Sequence, residues 1–181
     1  MNGTVGPRAF AFRPARVQDI GAVVALVESA YRGESSRRGW TTEADILDGQ
    51  RADPAIVGEL LRKPQSIVLL AESGGAPLAC MHVEKLDEAT AYFGMFAVRP
   101  DAQNSGIGRA VLAEAERIAG EEWRCVRMQM TVIWTRDELI AWYERRGYRR
   151  TGRYSPFPYG DERFGIPRRD DLRFESLEKT L

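Results

Sequence analysis

Three short apolar runs follow one another between residues 66 and 98, and they constrain the fold more than any other feature. Ser66–Ala71 (SIVLLA) is β-branched and apolar. Ser73-Gly74-Gly75 reads as a turn, Leu78–Val83 as a second strand and Ala91–Val98 (AYFGMFAV) as a third. Strands joined by such short connections predict an antiparallel meander. Gly94, inside the third run, predicts a bulge or a close backbone approach.

Helical spacing brackets the meander. Ile20, Val23, Val24, Val27 and Tyr31 recur on one face and predict a helix from about Val17 to Ala30, after a short strand at Phe10–Arg13. Gly33–Gly39 reads as loop. Thr41 or Thr42 can cap a short helix through Leu47. Asp53-Pro54 places a capping carboxylate before proline and starts a helix running to about Arg62. Beyond the meander, Gly106–Gly120 is helical and Cys125–Ile133 a strand. Arg136–Arg146 is a helix ended by Gly147, Tyr148–Arg153 a strand, Ser155–Asp171 a long loop and Leu172–Glu178 a closing strand. The strand–helix–strand unit around Val98–Cys125 should be parallel. The expected architecture is α/β (α+β): a mixed, mostly antiparallel central sheet with helices on both faces. One domain over residues 1–181, loose at residues 1–8, suits this length.

Bulk properties exclude several classes. There are 26 basic and 26 acidic side chains, so nothing in the total offers the net basic surface that displaces counterions from nucleic acid. No apolar run approaches the roughly 18 residues of a membrane span, and the first residues lack a signal-peptide core. A cytoplasmic protein is the default expectation. Cys80 and Cys125 lie in apolar runs and read as buried free thiols. Together with the single histidine, His82, they give no metal-ligand spacing.

The strongest local signal is Val98-Arg99-Pro100-Asp101-Ala102-Gln103-Asn104-Ser105-Gly106-Ile107-Gly108-Arg109. A strand ends, a proline stops its ladder, and a short loop enters an amphipathic helix through two glycines. Free backbone N–H groups and the helix dipole make such a helix start attractive to a diphosphate. Taken alone, the glycines also fit a tight strand-to-helix turn. The spacing matches neither a P-loop nor the dinucleotide fingerprint.

V-x-P-x-x-Q-x-x-G-x-G between a strand and a helix resembles the acetyl-CoA motif of the GNAT N-acetyltransferase superfamily. Phe12-Arg13-Pro14-Ala15 with Asp19 resembles that family's opening, and Trp142-Tyr143-Glu144-Arg145-Arg146-Gly147-Tyr148 its late F-Y-x-x-x-G-F element. The resemblance implies an acetyl-CoA-dependent N-acetyltransferase, and the lack of metal-ligand spacing leads us to expect no metal. It implies that Phe96, Ala97 and Val98 run beside the pantetheine arm. The amides of Asn104, Ser105, Gly106, Ile107, Gly108 and Arg109 would hold the pyrophosphate, with Gln103 helping through its side chain. Tyr143 would stand near the CoA sulfur as the acid for the leaving thiolate, or else serve as a core aromatic. Two positions depart from the pattern. Thr131 stands where some relatives carry a glutamate base, and Arg136 where many carry a CoA-contacting asparagine; Arg136 can still reach the cofactor, or else is a solvated helix-start residue.

Acyl transfer needs a neutral amine, an oxyanion donor and an acid for the thiolate. A backbone N–H near Gly94–Phe96 suits the oxyanion. His82 is the side chain whose unperturbed pKa lies near neutrality and is a candidate base, the alternative being a satisfied core histidine. Glu34, Glu43 or Asp161 can supply a carboxylate from the loops. Tyr92 shares the face of Gly94 and Phe96. Trp40, Phe157, Tyr159 and Phe164 can wall an acceptor pocket, because Tyr31–Glu43 and Tyr154–Asp170 are richer in aromatic and charged groups than connections require. These segments also suit a sheet cover or a homodimer contact. The sequence reading is therefore acetyl transfer to a small-molecule amine, with a peptide or protein amine, or a non-catalytic acyl-CoA-binding module, as alternatives.

Overall fold

The computed structural model describes residues 10–181; the expected loose stretch at residues 1–8 lies outside the described residues. Nine strands and five helices follow in chain order: β1 Ala11–Pro14, α1 Ile20–Tyr31, α2 Gly33–Ser36, β2 Leu47–Asp48, α3 Pro54–Arg62, β3 Ser66–Ser73, β4 Ala76–Lys85, β5 Thr90–Val98, α4 Ile107–Arg117, β6 Arg127–Ile133, α5 Asp137–Glu144, β7 Arg149–Pro156, β8 Ile166–Pro167 and β9 Arg173–Thr180. Seven strands form one sheet in the order β1-β3-β4-β5-β6-β9-β7, and β2 pairs with β8 apart from it. Every pairing is antiparallel except β5–β6, which is parallel as the intervening α4 requires.

Strand alternation sorts the core onto two faces. Val68 and Leu70 of β3 pack with Val23, Leu26, Val27 and Ala30 of α1 and Val57 of α3. Leu69 and Ala71, one residue out of phase, pack with Ile107, Val111 and Leu112 of α4 and with Leu139 and Ile140 of α5. Asp53 caps α3 as its Oδ1 accepts from the N–H groups of Ala55 and Ile56 at 2.7 and 3.3 Å.

Three expectations are corrected. Gly33–Ser36 is a helical turn rather than loop. Thr41–Leu47 is not a helix: Thr42 Oγ1 accepts from the Ala44 N–H at 3.2 Å, which bends the backbone, and Leu47–Asp48 pairs with Ile166–Pro167. That pairing and a helical turn at Glu162–Phe164 also give the Ser155–Asp171 stretch structure of its own. The last strands are not laid down in chain order, because β9 inserts between β6 and β7. Composition explains the choice. β9 carries Glu175 and Leu177 into buried positions, whereas β7 (RRTGRYSP) is exposed nearly throughout and takes the edge.

Two irregularities open the sheet. The β4–β5 register shifts between Cys80 and His82, leaving Met95 and Phe96 without register partners, and Met95 has φ 43°. The β5–β6 pairing ends at Tyr92–Gln129, although β5 continues to Val98 and β6 to Ile133. Beyond Tyr92 the β5 edge that faces β6 therefore has no partner strand among the described residues. The bulge near Gly94 is where the sequence predicts it.

Candidate active site

The gap between β5 and β6 is the mouth of a two-lobed cleft. One lobe, of about 280 Å³, is lined by Trp40, Phe96, Val98, Gln103, Asn104, Gly106, Gly108, Arg109, Trp142 and Arg146, among others. The other, of about 350 Å³, includes Glu43, Arg51, His82, Tyr92, Thr131, Arg136, Tyr143, Phe157, Arg163 and Phe164. Tyr31, Phe96 and Leu139 line both, so the lobes meet there. The Tyr31 hydroxyl donates to the Phe96 carbonyl and fixes the bulge from the α1 side.

The first lobe sets main-chain N–H groups at a helix start, where an anion can be held. Asn104 and Gly106 adopt φ of 63° and 86°, which turns the backbone sharply into α4. The N–H groups of Ile107, Gly108 and Arg109 have no acceptor among the described residues. An added Cβ at Gly108 would lie 3.4 Å from the Phe96 ring and 3.7 Å from Trp142, so the missing side chain keeps the lobe open. The Arg146 guanidinium stacks 3.4 Å over the Trp142 ring. Burial and the neighbouring Arg145 and Arg109 cations lower its pKa.

Gln103 plays a different part from the expected one. Its Oε1 accepts from the Trp40 N–H at 3.0 Å, and its Nε2 donates to Thr41 Oγ1 at 3.0 Å and to the Val98 carbonyl at 3.1 Å. The side chain is a clamp between the 37–42 segment and the end of β5. Trp40, expected in the acceptor pocket, is thereby held in the cradle lobe, 6.3 Å from Trp142 ring to ring.

In the second lobe Tyr143 is buried at 4% exposure, yet its hydroxyl makes no hydrogen bond among the described residues. Burial holds its pKa well above the ordinary tyrosine value, so it keeps its proton. Tyr92 and Thr131 hydroxyls meet at 3.1 Å and bridge the splayed strands.

His82 lines this lobe, but its Nε2 lies 2.9 Å from Ser66 Oγ and 3.5 Å from Glu84. Burial pulls its pKa down to about 4, so it is poorly matched to base catalysis near neutrality. Glu43 is buried among three guanidiniums: Arg32 at 2.5 Å, Arg136 at 2.8 Å and Arg51 at 3.4 Å. Burial raises its pKa, but Arg51, Arg136 and Arg32 outweigh that and hold it below the ordinary carboxylate value. It is an anchor, not a free carboxylate. Arg136 reaches Glu43 and the Thr41 carbonyl, at 2.6 Å, and lines the second lobe rather than the cradle. Glu34 is exposed on α2 beside Arg37, and Tyr159 is half-exposed, bonded to the Arg169 carbonyl and the Leu172 N–H; neither lines the cleft. Asp161 pairs with Arg163 at 2.6 Å. Both cysteines are free, and burial pushes Cys80 up to about 12.

Sequence reasoning missed Tyr31, Arg51 and Arg146. Arg146 sat inside the quoted late motif. Tyr31 reads as one more apolar position of α1, and Arg51 has no local signal.

The model of the Acetyltransferase (GNAT) family matches residues 23–148, well over half of the chain. The chain belongs to the GNAT acetyltransferase family. No curated protein sequence matches it. Its fold is similar to solved GNAT structures at low identity. Ard1 from Thermoplasma volcanium is 17% identical over 96% of this chain and 98% of that one, with a TM-score of 0.70. The ribosomal-protein-S18-alanine N-acetyltransferase from Escherichia coli is 15% identical over 95% and 94%, with a TM-score of 0.67. A GNAT family acetyltransferase from Elizabethkingia anophelis, solved with acetyl-CoA bound, is 17% identical over 95% and 98%, with a TM-score of 0.62. Among the described residues no helix of this GNAT chain is long and apolar enough to cross a membrane, and no group of three His, Cys, Asp or Glu side chains is placed to hold a metal.

Proposed function

We propose that the protein is an acetyl-CoA-dependent N-acetyltransferase for a small-molecule amine, with donor and acceptor held together in the two lobes. The observation that carries this reading is the meeting of a cradle of free amides and a separate polar lobe at one bulged strand, beside an unpartnered tyrosine hydroxyl. The acetyl-CoA-bound structure of the Elizabethkingia anophelis relative supports the choice of donor. When bound, acetyl-CoA supplies an acyl group activated as a thioester.

The chain's own groups suit that substrate. The amides of Ile107, Gly108 and Arg109, with Arg146 nearby, take the diphosphate. The β5 edge at Phe96–Val98, which has no partner strand among the described residues, offers main-chain N–H groups to an amide-bearing arm, its Phe96 and Val98 carbonyls already accepting from Tyr31 and Gln103. A main-chain N–H in the Gly94–Phe96 bulge is the oxyanion donor. Tyr143 holds a proton at Oη for the departing sulfur. The acceptor amine enters through the second lobe, between walls from α5, β6 and the 157–164 segment.

Thiol release from acetyl-CoA with a panel of small amines and short peptides, and mass spectrometry of the products, tests the reading. Acetylated amine is the expected result. Tight CoA binding with no turnover of any amine would instead identify a binding module. Turnover confined to peptide N-termini would move the substrate class to proteins.

A further inference from the structure

Three arginines line the acceptor lobe, and among the described residues one of them, Arg51, donates no side-chain hydrogen bond. Arg136 is held by Glu43 and the Thr41 carbonyl, and Arg163 by Asp161. Arg51 lines the same cavity, its side chain is 33% exposed, and among the described residues its guanidinium donates no hydrogen bond. Its ionic contact is with Glu43 at 3.4 Å, a carboxylate already bonded to Arg32 and Arg136. The backbone beneath it is fixed, because Glu28 Oε1 accepts from the N–H groups of both Arg51 and Ala52. An anchored main chain thus presents a planar, five-donor cation to an open lobe, the arrangement that recognises a carboxylate.

Position adds to this. The guanidinium carbons of Arg51 and Arg136 lie 5.2 and 5.5 Å from the centre of the Tyr31 ring. The hydroxyl of that ring meets the Phe96 carbonyl at the junction of the lobes. The cations and the bulge thus meet the same tyrosine ring, the former over the ring and the latter at its hydroxyl, a spacing suited to a small molecule with an anionic group at one end and an amine at the other. The lobe offers no corresponding site for a second ammonium. Glu43 is enclosed by arginines, and Asp53 accepts the N–H groups that cap α3.

We propose that the acceptor is an amine carrying a carboxylate, of the amino-acid class, and that Arg51 binds the carboxylate. This rests on the acetyltransferase reading above and narrows it. The test compares matched acceptors on the full-length chain: amino acids, their carboxamides and the decarboxylated amines of the same skeleton. The readouts are kcat/KM by thiol release and the Kd of the unreacted amino acid by calorimetry. The free acids should be preferred over both analogues by on the order of 10- to 100-fold, the usual worth of hydrogen bonds to a charged group. Arg51→Ala should abolish the preference while the Kd for CoA stays unchanged, and Arg51→Lys should restore part of it. Carboxamides used as well as free acids by the unaltered protein, or a preference that survives Arg51→Ala, overturns the assignment and leaves acetyl transfer standing. Failure of every amine overturns both. The comparison of substrates on the unaltered protein does not depend on any variant folding.

Discussion

The Gln103 side-chain amide is bonded to Thr41, Nε2 to Oγ1 at 3.0 Å, and the Thr41 carbonyl in turn accepts from Arg136 at 2.6 Å. One short segment therefore joins the cradle loop to the acceptor lobe. An added Cβ at Gly39 would fall 2.6 Å from Gln103 Oε1, so the glycine is what lets the clamp close. Gln103→Ala removes three hydrogen bonds and should cost roughly 1–3 kcal/mol of stability by chemical denaturation. KM should rise for acetyl-CoA, since Trp40 loses its tether, and for the acceptor, since Arg136 loses support. Unchanged KM values for both substrates would show that the clamp is only structural.

Tyr143→Phe removes a hydroxyl that has no hydrogen-bond partner among the described residues. The fold should be as stable as before, within about 0.5 kcal/mol, since no bond is broken and no cavity of note is made. If Oη protonates the leaving sulfur, kcat should fall by about 10²-fold or more, with KM values little changed. Steady-state kinetics with a chosen amine decides it, and full turnover by the phenylalanine variant removes Tyr143 from the chemistry.

What the sequence made legible was local. The strand-turn-helix passage from Val98 to Gly108 carries its own signals, and the structure forms the turn where they predict it. The bulge follows from one glycine in an apolar run. The acceptor lobe is assembled from separate segments: Glu43 meets Arg32 and Arg51 on either side of it in sequence and Arg136, 93 positions away. No periodicity reports such a cluster. Thr41–Leu47 illustrates the cost. A capping threonine before acidic residues reads as a helix start, but Glu43 is drawn into the arginines and its N–H into the Tyr31 carbonyl at 3.0 Å, so tertiary contacts override the local preference. The placement of β9 is likewise non-local, set by which strand can be buried.

His82 should shape stability against pH more than activity. Its folded pKa of about 4 lies below the ordinary value of about 6.5, so the unfolded chain binds the proton first. Its neutral form stabilises the fold fully above about pH 6.5. That contribution is lost as pH falls from there through about 4, a change on the order of 3 kcal/mol. Thermal unfolding between pH 7 and 4 should show the slope, and His82→Gln should flatten it. The same variant should keep turnover at neutral pH within a few-fold. A collapse of kcat at unchanged stability would return His82 to the role of base.

Glu43 governs a second window. Its folded pKa lies below the ordinary carboxylate value, because three guanidiniums overcome its burial. Its contribution is present above the unfolded carboxylate value of about 4.3 and is lost as pH falls through the lower folded one. Acid unfolding should therefore steepen below that point, after the histidine has titrated. Glu43→Gln keeps the shape but leaves Arg32 and Arg136 without their counter-charge. Arg32 Nε and Nη2 already lack hydrogen-bond partners in the described structure, so no reserve exists to absorb the loss. The expected cost is about 3–5 kcal/mol in urea at neutral pH, as for one partner removed from a buried ion pair. The variant's stability should also decline less steeply below about pH 4.3, because the group that titrates there is gone. A loss under about 1 kcal/mol would mean that water or anions replace the carboxylate, and that the arginines do not depend on it for their place in the lobe.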